Sequence, residues 1–249
     1  MRLTDHCYAV PGLAYATPWC VNAGFIAGEE ATLVVDSGGN ALAAQAVHGY
    51  AAAVRPGNKM FLINTEKHFD HILGNCYFHD QGIEIWGHAE LMRTPEEFQA
   101  EIEEINRAIP DPVRRRRKEA QSFFYGTRLV LPDHAASESL IFSLGGLTAE
   151  VLLTPGHTRT NLSVWAPSEG VLYTGDCVVS EYLPNLDAGS PADWRLWLDS
   201  LDRIEALKAE CVVPGHGPVA CGAEIPQALN RMRGILHEAI HRGSSPTAT

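Results

Sequence analysis

The sequence is short of cations: 19 Lys and Arg face 30 Asp and Glu in 249 residues, a formal net charge of −11. A general polyanion binder needs clustered cations to release counterions from phosphates, so no nucleic-acid partner is expected. Long apolar runs are missing too. No stretch approaches the roughly 18 residues of a membrane span, so no membrane association is expected. Met1-Arg2-Leu3-Thr4-Asp5-His6 does not lead into an apolar run of signal-peptide length, and the expectation is a cytoplasmic protein. Six cysteines (Cys7, Cys20, Cys76, Cys177, Cys211 and Cys221) are scattered without a C-x-x-C pair. That argues against a disulfide scaffold or a structural zinc ribbon, and small buried hydrophobes are expected instead.

What is present is enough for a full core, with 45% apolar and 20% charged residues. No internal linker stands out, so a single domain is expected over residues 1–242, with residues 243–249 as a disordered tail. The partner expected for so acidic a chain is a small-molecule substrate; oligomeric state leaves no signal in the sequence.

Strand and helix patterns alternate along the chain. Strands are expected near Cys20 to Ala27, over Ala31 to Val35, Lys59 to Asn64 and Ile83 to Trp86, with an alanine-rich helix over Ala41 to Val54 stopped by Pro56-Gly57. Residues from about 89 to 135 change character, Glu- and Arg-rich and broken at Pro110-Asp111-Pro112, as in an inserted helical lid. Strands resume at Leu140 to Ser143, Leu147 to Leu153, Leu162 to Trp165 and Gly170 to Tyr173, with Gly145-Gly146 as a hairpin turn. A helical stretch from Ala192 to Ala209 precedes a last strand, Cys211 to Val213. Alternation in both halves points to the α/β class.

The chemistry concentrates where strands end. Thr65-Glu66-Lys67-His68-Phe69-Asp70-His71 follows the Lys59 strand. In extended chain, residues two apart point the same way, so Glu66 and His68 can converge on one ion. If a helix starts near Asp70, its side chain and that of His71 leave toward a second ion. Three further segments place a ligand type just after an apolar strand: Thr154-Pro155-Gly156-His157, Thr174-Gly175-Asp176 and Pro214-Gly215-His216. Three carboxylates and four imidazoles suit a pair of hard or borderline cations about 3.5 to 4 Å apart.

This order, with its spacing and flanking glycines, resembles the metallo-β-lactamase superfamily, whose motif is usually His-x-His-x-Asp-His followed by a distant His, Asp and His. The resemblance covers nearly the whole chain and implies a four-layer αββα sandwich. It further implies that Glu66, His68 and His157 hold one metal, that Asp70, His71 and His216 hold a second, and that Asp176 bridges them. A hydroxide between the ions would then be the nucleophile. Glu66 replaces the first His of the motif. A carboxylate there tilts the expected pair of divalent ions, otherwise zinc, toward iron or manganese. The alternative is that Glu66 only accepts a hydrogen bond from a ligand His.

Tyr-Thr-Gly-Asp176 resembles the glyoxalase II-like branch more than the true β-lactamases, which implies hydrolysis of an ester, thioester or lactone, with a β-lactam as a side substrate. Cys177 stands one position late to replace Asp176. The alternatives on the same fold are a di-iron or mononuclear-iron oxidoreductase and a phosphodiesterase. Tyr182 and Asn185, after Asp176, are candidates to contact substrate, with Asp70 and Tyr182 the candidate catalytic side chains. The run Arg114 to Lys118 reads as a solvated face of the lid or as a clamp for an anionic substrate. Phe123, Phe124 and Tyr125 read as pocket lining or as the lid's own core. Among the remaining histidines, His88 is the one placed to support a ligand.

Overall fold

The computed structural model describes residues 1–13, 20–108, 124, 126–137, 140–187 and 189–245. Strands β1 (Cys7–Val10), β2 (Ala23–Ala27) and β3 (Ala31–Val35) form an antiparallel meander. Helix α1 (Ala41–Val54) crosses to β4 (Lys59–Ile63), which lies parallel to β3, with Leu33 opposite Phe61. The Asn40 side chain starts this helix by accepting the Ala43 N–H at 2.7 Å. Two short helices, α2 (Phe69–Ile72) and α3 (Asn75–Asp80), precede β5 (Glu84–His88), which adds parallel to β4. Helix α4 (Pro95–Ala108) follows, opened by reciprocal bonds between Thr94 and Glu97. Strand β6 (His134–Ala136) completes the first sheet, in the order β1-β2-β3-β4-β5-β6.

The second sheet begins with β7 (Ile141–Ser143), β8 (Thr148–Leu153) and β9 (Leu162–Ala166), all antiparallel. Then come β10 (Val171–Val179), helix α5 (Pro191–Ala206), β11 (Cys211–His216), β12 (Ala220–Cys221) and helix α6 (Glu224–Arg242). Its order is β12-β11-β10-β9-β8-β7, with β10 and β11 parallel.

The two sheets stack face to face because their strands are apolar on both sides. Leu33 and Val35 enter the core between the sheets with Val151, Val164 and Val213, whereas Val34 between them packs with Val47 and Ala51 of α1. Successive strand residues face opposite ways, so one uninterrupted run serves two cores. Leu172 likewise joins Trp197 and Leu201 of α5 and Leu229 and Met232 of α6, while Tyr173 faces the other sheet. The layers are thus α1 and α3, two six-stranded sheets, and α5 with α6, the αββα sandwich that was expected. The Tyr173 hydroxyl reaches from β10 into the first sheet, 3.1 Å from the carbonyl oxygens of Tyr8 and Phe25 and from the Tyr8 N–H.

Several expectations need correction. Gly175 does not end its strand: β10 runs on to Val179 through an irregular register, Tyr173 opposite Val213 but Val179 opposite His216. A bulge keeps the strand going where the glycine reads as a stop. Asp176 therefore lies within β10, and His216 closes β11 rather than following it. Cys211 and Cys221 are not isolated hydrophobes but a disulfide pair, direct partners across the antiparallel β11–β12 ladder. Cys7, Cys76 and Cys177 are buried thiols as expected, and Cys20 is half-buried. Strands β1, β6 and β12 and helix α6 were not anticipated. Pro226 and Gly234 obscure α6, yet proline in a first turn forfeits no hydrogen bond, and Ile225, Leu229, Met232, Leu236 and Ala239 make its buried stripe.

In the region expected as a helical lid, α4 is helical. The Arg114 to Lys118 run, Phe123 and Tyr125 lie outside the described residues, as do residues 246–249 of the expected tail. Gly243 caps α6 in a left-handed conformation, and the Ser245 hydroxyl bonds the Asp187 carboxylate.

Candidate metal centre

All seven candidate ligands meet along one edge of the sandwich. Glu66 lies in the bend that follows β4, and His68, in extended conformation, serves as the N-terminal cap of α2, whose first turn carries Asp70 and His71. His157 stands in the loop between β8 and β9, Asp176 inside β10, and His216 at the end of β11. Their donor atoms fall into three overlapping sets, each within 4.8 Å: Glu66, His68 and His157; Asp70, His71 and His216; and Glu66, His71 and Asp176. The first two sets match those the motif implied.

Asp176 sits between them. Its Oδ2 is 3.3 Å from His157 Nε2, while its Oδ1 is 3.3 Å from His71 Nε2 and 3.4 Å from His216 Nε2. His157 Nε2 and His68 Nδ1 are 3.0 Å apart, and Asp70 Oδ2 lies 3.1 Å from His216 Nε2. Glu66 is fully buried, its Oε1 2.8 Å from His68 Nδ1 and 3.4 Å from His71 Nε2. A carboxylate this deep, among imidazoles and not behind them, can donate to a cation directly.

The donor set passes a test of fit to metal ions. Glu66 Oε2, His71 Nε2 and Asp176 Oδ1 are buried and have no hydrogen-bond partner among the described residues. Orphaned buried polar atoms are costly and call for an explanation such as an ion. Charge tells the same story. Burial alone would raise the carboxyl of Asp70, yet His71 and His216 hold it down to about 2. Burial opposes protonation of His216, but Asp176 and Asp70 push it up to about 11. Burial likewise opposes protonation of His71, and Asp36, Asp70, Asp176 and Glu66 together raise it well above the usual range. Clustered carboxylates thus demand positive charge at this edge, which protons or metal cations can supply.

The imidazoles are aimed by partners outside the cluster. His71 Nδ1 lies 2.9 Å from Asp36 Oδ2, leaving Nε2 turned inward. Asp36 is itself held by the Thr65 N–H at 2.7 Å and the Thr65 hydroxyl at 2.6 Å. His216 Nδ1 meets the Cys20 carbonyl at 3.0 Å, and the Asn22 amide grips the carbonyls of Pro214 and Gly217 on either side of it. A ligand imidazole whose second N–H is engaged keeps its tautomer and orientation. Two glycines make room: a Cβ on Gly215 would stand 1.9 Å from Asp176 Oδ1, and one on Gly156, at φ +152, 2.3 Å from Trp197 Cβ.

A cavity of about 230 Å³ opens onto these donors, lined by His68, Asp70, Glu101, His157, Asp176, Val179, Tyr182, Leu183, Pro184, Asn185 and His216. Tyr182 and Asn185, the candidates after Asp176, both line this cavity. Cys177 is the buried small residue that was expected: it lies among the residues packed under α5 and α6, and burial pushes its thiol up to about 12. His88 lies outside the cluster, its Nδ1 accepting the Glu90 N–H. Phe124 packs near Phe69, Ile72 and Leu73. Two residues were missed. Asp36 follows the apolar strand β3 just as the ligands follow theirs, a signal that went unused. Glu101 comes from the middle of α4, where nothing in the sequence sets it apart from the neighbouring glutamates.

An αββα sandwich with histidines and carboxylates converging at one sheet edge defines a metal-binding protein of the α/β class. The chain belongs to the metallo-β-lactamase superfamily, whose family profile matches residues 5–216. A type 2 metallo-β-lactamase of Bacteroides fragilis is 31% identical over 121 residues, 47% of each chain. A hydroxyacylglutathione hydrolase of Rhodobacter capsulatus is 31% identical over 116 residues, 46% of this chain and 44% of that protein. The matches thus span about half the length, or less, of these relatives. Among solved structures, a metallo-β-lactamase family protein of Thermus thermophilus superposes with a TM-score of 0.68 at 22% identity, covering 96% of this chain and 81% of that one. A metallo-β-lactamase of Pontibacter korlensis gives 0.66 at 18% identity, covering 94% and 97%.

Proposed function

We propose that the chain is a hydrolase that holds two divalent cations and cleaves an ester, thioester or lactone-type small molecule. The observation that carries this reading is the overlap of three donor sets around orphaned buried atoms at the floor of a small cavity. Glu66, His68 and His157 would hold one cation, Asp70, His71 and His216 the other, with Asp176 shared. When bound, such ions polarise an acyl carbonyl and lower the pKa of water. Zinc suits the imidazoles, and the hard oxygens of Glu66 and Asp176 also admit iron or manganese.

The chain's own residues do the rest. Asp36 and the Cys20 carbonyl keep the inward nitrogens of His71 and His216 free to donate. Asp70, its side chain 23% exposed, lines the cavity and can accept a hydrogen bond from a group that enters it. Tyr182 borders the same space and can donate to a developing oxyanion, while Val179, Leu183 and Pro184 keep one wall dry. The reading takes residues 1–242 as one domain with the α4 region as a lid. Acyl esters and thioesters rank above β-lactams because a carboxylate, Asp176, holds the shared position and the neighbouring thiol of Cys177 is buried away from it. Relatives carry both names, a metallo-β-lactamase and a hydroxyacylglutathione hydrolase, so the ranking rests on the residues alone.

Asp70→Ala and His157→Ala variants test it. Each should lose at least about a hundredfold in turnover of whichever acyl compound the wild type cleaves, with circular dichroism unchanged. Wild-type turnover in both would refute the mechanism.

A further inference from the structure

The cavity above the metal-ligand cluster has one acidic side chain that the cluster does not use. Glu101 lines it from α4, half-buried, and its carboxylate has no hydrogen-bond or ion-pair partner among the described residues. No lysine or arginine is among the described residues lining the cavity. The position of Glu101 is built. Phe98, one turn earlier on the same face of α4, packs edge-on against Phe69 of α2 with ring centroids 5.9 Å apart. Arg93 lies over that ring at 3.9 Å and makes its ion pair with Glu97 at 3.3 Å, acting on Glu101 only at a distance. The same helix, α2, carries Asp70 and His71, which ties the carboxylate of Glu101 to the ligand frame. The opposite rim is apolar, formed by Val179, Pro184 and Leu183, the last 49% exposed.

We propose that Glu101 sets substrate specificity: it accepts a hydrogen bond from an ammonium or N–H group of the substrate, and the site prefers cationic or neutral acyl compounds over those carrying a carboxylate. The inference rests on the hydrolase reading and names its substrate class. A half-buried carboxylate with no lysine or arginine beside it among the described lining residues attracts a donor and repels an anion, and hydrogen bonds to a charged group are the strong ones. An apolar arm of the same substrate would lie along Leu183. By this reading, acyl compounds whose leaving group carries a carboxylate and no N–H donor are poor substrates of this chain.

A matched set of thioacetates tests it: those of 2-(dimethylamino)ethanethiol (cationic, with one N–H), 2-mercaptoethanol (neutral) and 3-mercaptopropionate (anionic), followed by release of the thiol from the metal-loaded protein. The expected kcat/KM favours the cationic over the anionic compound by about tenfold or more, mostly through KM. Glu101→Gln should collapse that ratio toward unity at unchanged metal content. The corresponding non-hydrolysable thioethers, titrated calorimetrically into both proteins, give the same ratio from binding alone. If no thioacetate is turned over, the thioester reading fails while the thioether ratio still decides the role of Glu101. An unchanged cation-to-anion ratio in Glu101→Gln, or a wild type that prefers the anionic compound, overturns the proposal.

Discussion

Asp36 offers the sharpest test of how the frame holds the site. Its Oδ2 faces His71 Nδ1 at 2.9 Å, and no other carboxylate reaches that nitrogen among the described residues. Replacing it with asparagine removes the charge and little else. Asp36 adopts φ 60, a left-handed conformation that asparagine tolerates better than most residues. The amide oxygen can still accept from Thr65, whereas the amide nitrogen now faces the imidazole where an anion stood. Loss of such an outer partner typically weakens metal affinity about 10- to 100-fold, equivalent to about 1.4 to 2.8 kcal/mol. Competition against a chromophoric zinc chelator near neutral pH measures this directly, with urea midpoints as a check that the fold survives. One of the two binding events should weaken and the other stay close to wild type. Affinity indistinguishable from wild type at both would show that Asp36 does not orient His71.

Five further variants have expected outcomes. Tyr173→Phe removes a hydroxyl that ties β10 to β1 and β2, strands the Tyr8 N–H, and should cost about 1 to 3 kcal/mol in urea unfolding. Opening the Cys211–Cys221 link with Cys221→Ser should lower stability by about 2 to 4 kcal/mol, and thiol titration of the unreduced wild type in denaturant should find only Cys7, Cys20, Cys76 and Cys177. Ser190→Ala breaks the capping box of α5, at about 1 kcal/mol. The Asp193 carboxyl in that box is held below its usual range, first by the Ser190 hydroxyl and backbone N–H and then by Arg159. Its contribution is therefore complete above the unfolded pKa of about 3.9 and is lost as pH falls through the lower folded value. The stability gap between wild type and Asp193→Asn should close in that acid window. Gly215→Ala, whose Cβ would collide with Asp176 Oδ1, should weaken metal binding more than it lowers the urea midpoint.

The site was legible because its chemistry is local. Glu66, His68, Asp70 and His71 are neighbours in sequence, and His157, Asp176 and His216 each sit at or near the end of an apolar run, where a sandwich gathers strand ends. Asp36 was not read, although it obeys the same rule. Its role depends on β3 lying beside β4, so that Val35 pairs with Ile63 and the next residues meet. The disulfide was invisible for the same reason: Cys211 and Cys221 face each other only once β12 folds back on β11. Glu101 depends on how α4 docks, which Phe98 against Phe69 decides. Helix α1 and strand β3 were read to the residue because apolar runs are there bounded by clear turn residues. Helix α6 was missed because Pro226 and Gly234 interrupt a stripe whose spacing is otherwise plain.

Elemental analysis of the purified protein, paired with hydrolysis of a thioester, lactone and β-lactam panel before and after chelation, tests the central claim most directly. The account predicts about two divalent ions per chain, thioester or ester cleavage abolished by chelator, and recovery when metal is restored. Hydrolysis that survives complete removal of metal would contradict it, as would iron in a protein that cleaves no member of the panel.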